Sequence, residues 1–479
     1  MIDSIGEKGY RATTIADLVG RAGVSRKTFY EHFANKQECL LATFDVIAED
    51  GRRRAIEAYQ QARGEDRGTG DLVERGVEAA LRALFEATID NPGAARLNMV
   101  EIVAAGPAGI ARRESAVQEY RNFVRSILQQ GSGGGEGTVP ATVVRAVVGG
   151  LNRVLYSRVR HGQRAELRQL VPDLMRWVTC YRPTPPELAA TIEPGPETQP
   201  GAAAVAQPGA EPKSAAVAKS GAELETGTGA GTGAQSGAEQ PYCGLVGGRA
   251  PGTLASVAGG DLGLVRSSMS NVLRSFILYS QRERILDAVA NLTAAGGYAD
   301  LTVEKIAGEA AMSLQTFYDH FRSKEEAFLF TYEVGHARGL ALVERAYEAQ
   351  ADWPTGVKAA VSALLHYLGS EPAFAQMALR YMLVASPRTA ERANLGISEY
   401  LSVLEPGFEE TSEHRRPPAI AIEAIGGGLG ELMYGCVMRD RAQDLPSLTV
   451  AATYVSLAPF VGPEQAARVA IAPLPAPVH

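Results

Sequence analysis

The sequence predicts an all-α protein in which one helical plan is laid down twice. No stretch shows the apolar–polar alternation of a half-buried strand, whereas apolar residues recur at helical spacing through both ends of the chain. The segment GYRATTIADLVGRAGVSRKTFYEHFANKQECLLATFD from Gly9 returns without a gap as GYADLTVEKIAGEAAMSLQTFYDHFRSKEEAFLFTYE from Gly297, at an offset of 288 (297 minus 9). Between the copies, Pro183 to about Gly260 is rich in Pro, Gly, Ala, Ser and Thr and poor in aromatics, so it cannot bury enough apolar surface to order itself.

Each repeated segment reads as two short helices joined by a tight turn. Ile15, Leu18 and Val19 form one apolar face, and Gly23 suits a turn position with positive φ. Ser25 stands where an N-cap belongs, and Phe29 and Phe33 share a face of the helix it opens. The opposite face carries Arg26, Lys27, Thr28, Tyr30 and His32. Such a pair, with a polar and basic second helix, describes a helix-turn-helix. The offset pairs Thr14 with Thr302, Thr28-Phe29-Tyr30 with Thr316-Phe317-Tyr318, His32 with His320 and Lys36 with Lys324. Nothing in the first copy matches Ser280–Ala288, the front of helix one in the second. Either an upstream extension resembling RERILDA or a trimmed first module is expected.

After Lys36 a long helix runs from Glu38 to about Ala62, followed by a polar break from Gly64 to Gly70. Helices are then expected over Leu72–Ile89, from Pro92 to about Ala105, and from Pro107 to about Gln130. A loop from Gly131 to Gly137 precedes two closing helices, Ala141–Arg160 and Ala165–Tyr181. The second copy repeats the plan with shorter loops. Asn91-Pro92 meets Glu371-Pro372 at offset 280, and Gly150-Leu151 meets Gly428-Leu429 at offset 278. The expected organisation is a first head over 1–45, a first body over 46–182, a disordered linker over 183–265, a second head over 266–333 and a second body over 334–470.

At 479 residues the chain has room for two or three domains. Its four cysteines (Cys39, Cys180, Cys243, Cys436) show neither CxxC pairing nor histidines at ligand spacing, which fits a reducing cytosol and calls for no metal or cofactor. The N-terminus lacks the layout of a signal peptide, and the most apolar stretch, near Ala419–Val437, is broken by Glu423 and Glu431. A cytoplasmic protein without a membrane partner is expected. Net charge is −7, but only a local patch has to face phosphates. From Gly9 to Asp45 the balance is five Lys/Arg against four Asp/Glu, and from Gly297 to Glu333 it is three against seven.

Both repeated segments resemble the DNA-binding domain of the TetR/AcrR family of bacterial transcriptional regulators. The resemblance rests on the Gly-Tyr, the Thr opening the second helix, the T-F-Y-x-H-F helix and the Lys that starts the fourth helix. It implies two TetR-like units, each a three-helix head plus a helical ligand-binding body. By that pattern and by side-chain chemistry, Thr14, Tyr30 and Lys36 are placed to meet phosphate and to position the head. Arg26, Lys27 and Thr28 lie in the turn that reaches base edges, where Arg or Lys pairs with guanine and Thr touches a thymine methyl. His32 is expected in local packing or at a phosphate. In the second head Thr302, Thr316, Tyr318, His320 and Lys324 are kept, but Leu314 and Gln315 replace the basic pair. Gln315 can pair with adenine. Ala311 stands where Gly23 stands, which strains the turn if φ is positive there.

Ligand-binding candidates in the bodies are Arg96, Asn98, Met99, Tyr120 and Phe123, and His366, Tyr367, Met377, Arg380, Tyr381 and Met382. For each of these an ordinary place in the core or on a solvated face is the favoured reading, because apolar stripes at helical spacing are usually core. No G-x-S-x-G, H-E-x-x-H, P-loop or dinucleotide fingerprint is present, so no enzyme is expected. Two readings stay open: a DNA-binding regulator (a repressor) released by a small molecule, and a sensing or protein-interaction scaffold whose heads do not bind DNA. The family pairs subunits through their last two helices, and this chain holds two such pairs, Ala141–Arg160 with Ala165–Tyr181 and Pro418–Arg439 with Leu445–Phe460. The expected facing residues are Val148, Gly149, Leu151, Leu155 and Leu174, and Ile425, Gly427, Leu429, Met433 and Val455. A tether of roughly 80 residues spans about 50 Å as a random coil. The favoured arrangement is therefore an intramolecular pseudo-dimer on an imperfect palindrome in double-stranded DNA.

Overall fold

The computed structural model describes residues 1–64, 72–130, 139–182, 184–192 and 262–474, and contains no strand among them. The first half opens with α1 (Ile2–Ala12), α2 (Ile15–Ala22) and α3 (Arg26–His32), which lead into the long α4 (Lys36–Gly64). Helix α1 is broken at Gly9, whose φ of 76° turns the chain so that Tyr10 packs with Ile5, Leu40 and Phe44. The body follows as α5 (Leu72–Asp90), α6 (Pro92–Arg96), α7 (Pro107–Gln130), α8 (Ala141–Arg160) and α9 (Leu167–Thr179). A short α10 (Pro186–Ile192) closes this half.

The second half repeats that order. Its head is α11 (Leu262–Asp300), broken at Gly297 with φ 80°, then α12 (Val303–Glu309) and α13 (Leu314–His320). Its body is α14 (Lys324–Glu348), α15 (Trp353–Ser370), α16 (Pro372–Gln376), α17 (Met382–Ala385) and α18 (Pro387–Leu401). Then come α19 (Gly407–Glu410), α20 (Ile420–Val437), α21 (Thr449–Val461) and α22 (Pro463–Ile471). Ser386 and Thr389 form a reciprocal cap at the start of α18, where Pro387 supplies a pre-set φ.

One feature departs from the expected helix pattern in both halves. The helix expected from Pro92 to about Ala105 is interrupted by a π-turn, Leu97–Glu101, and ends in a 3₁₀ turn at Gly106 with φ 68°. The equivalent π-turn, Met377–Tyr381, lies at the same offset of 280 in the second half. An inserted π-turn swings the side chains after it round the helix axis. It brings Glu101 and Tyr381, equivalent residues, against Gly9 and Gly297.

The largest apolar cluster draws on both halves. Phe85, Leu155, Leu174, Trp177 and Tyr181 share it with Ile425, Tyr454, Val455 and Phe460. Helix α8 packs along α20 with glycines at the crossing: a β-carbon at Gly150 would lie 2.5 Å from the Ala424 carbonyl oxygen, and one at Gly428 would lie 2.8 Å from that of Ala146. Tyr181 donates its hydroxyl to the Val455 carbonyl at 3.0 Å. Among the described residues, α20 is long and apolar enough to cross a bilayer by length and composition, but Ala421, Ala424 and Ile425 on it are fully buried in protein.

The expected linker needs correction at both ends. Thr184 and Leu188 are buried, and α10 packs on α21 and α22, because Leu188 finds a place in the shared cluster. Helix α11 already begins at Leu262. The remainder of the linker, the polar break after Gly64, the Gly131–Gly137 loop and Cys243 lie outside the described residues.

Candidate nucleic-acid interface

The first head is built by caps. Thr14 is extended at φ −106°, accepts from the Asp17 amide at 3.2 Å, and donates its own amide to Asp17 at 2.9 Å. This reciprocal cap starts α2. Lys8, 2.6 Å away, and the two Thr14 donors hold the Asp17 carboxyl well below the usual carboxylate range. Gly23 ends α2 in the left-handed conformation at φ 68°. Ser25 then caps α3, accepting from the Thr28 amide at 3.0 Å.

Phe29 is buried and Phe33 partly so, their rings 5.5 Å apart, which fixes α3 on the head core. Arg26, Lys27, Tyr30 and His32 are exposed on its other face, with Thr28 half-buried between them. Arg26, Lys27 and His32 make no hydrogen bond or ion pair to another described side chain. Arg11, exposed near the end of α1, likewise makes no such contact, whereas Arg21 pairs with Glu7 at 2.6 Å and Lys8 with Asp17.

Lys36 is also engaged. Its ammonium donates to the carbonyls of Tyr10 at 2.9 Å and Thr13 at 2.8 Å, and lies 4.4 Å from the centre of the Tyr10 ring. It closes the orphaned carbonyl end of α1, where a cation is favoured. Lys324 does the same, reaching Tyr298 O at 3.2 Å and Leu301 O at 2.8 Å, with the Tyr298 ring at 4.6 Å. The partners, Tyr10 and Tyr298, are the Tyr of the repeated Gly-Tyr. Residue order could not reveal this clamp, because it closes across 26 residues.

The second head keeps the frame and changes the exposed surface. Thr302 caps α12, but Lys305 replaces Asp17 and the reciprocal half of the cap is lost. Ala311 occupies the turn at φ 51°, so the condition for strain at this position is met. Ser313 caps α13 and accepts from the Thr316 amide at 3.0 Å. Leu314 and Tyr318 are exposed, and Gln315 donates to Asp319 at 3.0 Å. His320 meets Gln281 of α11 at 3.1 Å; burial, then the Arg282 charge, lowers its pKa.

The ligand-binding candidates are scattered. Arg96 reaches Glu101 at 3.0 Å and the Gly6 carbonyl at 3.3 Å, and Asn98 lies in the same π-turn. Met99 packs on the large shared cluster. Tyr120 lies against Gly51 of α4, and Phe123 meets Tyr59 edge-on at 5.9 Å. His366 is exposed and turned back on Ser362, while Tyr367 donates to the Gly335 carbonyl at 2.8 Å and burial pushes its phenol up to about 12. Met377 and Met382 are fully buried. Arg380 stacks on Tyr381, which packs on Gly297. A cleft of about 1120 Å³ includes Arg96 and none of the others.

The family model for bacterial regulatory proteins of the tetR family matches the chain twice, over residues 2–43 and 285–329, which are the two heads. The HTH-type transcriptional regulator CymR of Pseudomonas putida is 36% identical over 84 residues, 18% of this chain and 41% of that protein, so the match spans about two fifths of the relative's length. Among solved structures, the chain is similar to the fatty acid degradation regulator FadR from Bacillus halodurans. That likeness has 22% identity and a TM-score of 0.34, and covers 36% of this chain and 97% of that one. With the family's head matched at each end and the same lysine clamp in both, the chain carries two TetR-like units whose heads are those of bacterial regulatory proteins of the tetR family.

Proposed function

We propose that the chain is a sequence-specific DNA-binding transcriptional regulator, a repressor, that binds its operator as a single-chain pseudo-dimer and is released by a small-molecule ligand. The observation that carries the reading is the pair of helix-turn-helix heads on one chain, with the closing helices of the two halves packed on each other. An operator with two half-sites needs two heads, and here one chain supplies both. Arg26 and Lys27, exposed and uncommitted at the start of α3, read base edges with Thr28. Thr14 and Tyr30 meet phosphate, and His32 lies beside it. Lys36 and Lys324 hold the heads in shape, which makes their effect on DNA indirect. In the second head Gln315, Thr316, Tyr318, Thr302 and His320 face a half-site of different sequence and bind it more weakly.

The cleft supports the ligand-release part of the reading. It is bordered by Gly6 and Gly9 of α1, Arg96 and Glu101 of the π-turn, Arg160 of α8 and Leu383 of the second half. A molecule lodged there touches the head and both bodies at once. The reading assigns no catalysis to the chain and places it in the cytoplasm, where its DNA is.

The test is anisotropy of labelled DNA from the region upstream of the gene, titrated with the purified chain between about 50 and 200 mM salt. A steep loss of affinity with salt is expected, with one chain per duplex by light scattering. Absence of DNA binding at low salt would favour the scaffold reading. A stable free mass near twice 50.8 kDa would exclude the single-chain arrangement.

A further inference from the structure

The surfaces that α8 and α20 present to each other are related by a local twofold, as the glycines show. A β-carbon at Gly149 would lie 2.4 Å from that of Glu431, and one at Gly427 would lie 2.3 Å from that of Arg153. At the offset of 278, Gly149 is equivalent to Gly427 and Arg153 to Glu431. Each position therefore meets the counterpart of what its equivalent meets.

The charges on this surface break the twofold. Arg145 is equivalent to Glu423 and Arg153 to Glu431, so every cation of the first half in these positions stands as an acid in the second. Arg145 comes within 3.7 Å of Glu431, and Arg121, which also holds Glu114, is hydrogen-bonded to Glu431. At the other end Arg158 reaches Glu423 at 3.0 Å, and the Glu423 charge acts on Arg153. These are not rim contacts: the Arg121 side chain is 3% exposed and that of Glu431 is 11% exposed. Pairing two first halves through this surface would bring the cation of position 145 against that of position 153 in the other copy, and Arg121 against it too. Pairing two second halves would bring the acids of positions 423 and 431 together. Like charges brought together and desolvated are strongly unfavourable, whereas in the unlike pair Glu431 faces Arg121 and Arg145, Glu423 faces Arg158, and Arg153 donates to the Asn394 side chain.

We propose that this division of charge makes the surface selective for unlike halves, so that a first half accepts a second half and rejects a copy of itself. The inference rests on the pseudo-dimer reading and adds to it the rule by which partners are chosen.

The test starts from the full chain with a protease site placed between residues 193 and 261. After cleavage, the two fragments are unfolded in urea, refolded together and weighed by native mass spectrometry. Unlike pairs are expected to exceed like pairs by about a hundredfold or more. In the R145Q/R153Q/E423Q/E431Q chain the excess should fall toward the random ratio of about one to two to one, as expected once electrostatic discrimination is lost. Like pairs as abundant as unlike ones from the native chain would overturn the selectivity and leave the pseudo-dimer standing. Fragments that refold without pairing would overturn the pseudo-dimer itself. The intact chain gives a second measurement. Glu431→Arg should lower the melting temperature well below that of Glu431→Gln, and equal melting temperatures would overturn the inference.

Discussion

The two halves differ least where backbone has to be closed and most where side chains face solvent or each other. Lys36 and Lys324 clamp the same carbonyls, and Gly9 and Gly297 make the same break. The Arg112–Asp45 pair recurs as Arg392–Glu333, Gly51 lies under Tyr120 as Gly339 lies under Tyr400, and both π-turns survive at one offset. By contrast Arg26-Lys27 has become Leu314-Gln315, and the interface arginines have become glutamates. A duplicated unit keeps what its own fold demands; its exposed faces are free to take different roles. One further difference is interior. Ala48 in α4 corresponds to His336 in α14, which is buried, stacked on Tyr332 and hydrogen-bonded to Glu399.

The sharpest way to break the likeness of the halves is at their crossing. Gly149→Ala and Gly427→Ala each place a methyl against backbone, 2.8 Å and 2.7 Å from the facing glycine carbonyl. Neither helix can yield without parting from the other, so each should cost about 3 kcal/mol. The two costs should match, because the contacts are reciprocal. Gly430→Ala, with open space around it, serves as the control and should be neutral or slightly stabilising. Urea unfolding of the whole chain measures all three.

Next in size are the lysine clamps. Lys36→Met and Lys324→Met each leave carbonyls at the end of helix one without their charged donor, which should destabilise that head by about 1.5–3 kcal/mol. Hydrogen exchange in α1 or α11 reports the local effect. If Lys36→Met instead left exchange unchanged and reduced the salt slope of DNA binding by about one, the lysine would be a phosphate contact after all.

The reading surfaces should separate the heads further. Arg26→Ala or Lys27→Ala is expected to cost about 1–3 kcal/mol at one base position of one half-site. Leu314→Ala should cost less than either. Binding to a panel of single-base operator variants would show it, and equal penalties from both heads would contradict the asymmetry.

These expectations also mark what residue order could and could not tell. Caps, turn glycines and the exposed face of α3 were legible because each depends on residues three or four apart, and the repeat supplied a second witness for each. The alignment of Ala311 with Gly23 marked the position as one that would be strained at positive φ, and its φ is 51°. The π-turns were hidden, since Leu97–Glu101 and Met377–Tyr381 contain only ordinary helix formers and the change lies in which carbonyl each amide finds. The lysine clamp was hidden too, because the carbonyls that Lys36 meets lie 23 and 26 residues away. The charge division at α8 and α20 became readable only when the packing identified which positions meet. The expected start of the linker at 183 runs into α10, which Leu188 and Ile192 seat on the shared cluster and which no helical periodicity announces.

Acid should divide the halves as well. In the second half burial lowers the pKa of His320 and His336, the latter against the opposing pull of Glu399. A histidine whose folded pKa is depressed contributes stability that is present above its unfolded value, about 6.5, and is lost as pH falls below that. The second half should therefore loosen between about pH 6.5 and 5 before the first does. Hydrogen exchange at pH 7 and pH 5.5 would show it in α13 and α14, and His336→Ala, which mimics Ala48, should remove the α14 part.

The smallest expected effect concerns one β-carbon. Gly23 and Ala311 hold the same turn position at φ 68° and 51°, a region where the β-carbon of an L-residue crowds the following carbonyl. The cost is about 1–2 kcal/mol, partly offset because glycine loses more freedom than alanine on folding. Ala311→Gly should thus stabilise the second head by about 0.5–1 kcal/mol, and Gly23→Ala should destabilise the first by a similar amount. The space around Gly23 is open, so the effect is one of backbone conformation and not of packing. Exchange protection in α12 and α13 measures the gain, and in α2 and α3 the loss. The exchange of glycine and alanine also carries a functional reading. If Ala311→Gly raised the affinity of the second head for DNA along with its stability, its weakness would lie in the turn. If stability rose and affinity did not, the weakness would lie in Leu314 and Gln315, which stand where Arg26 and Lys27 stand in the first head.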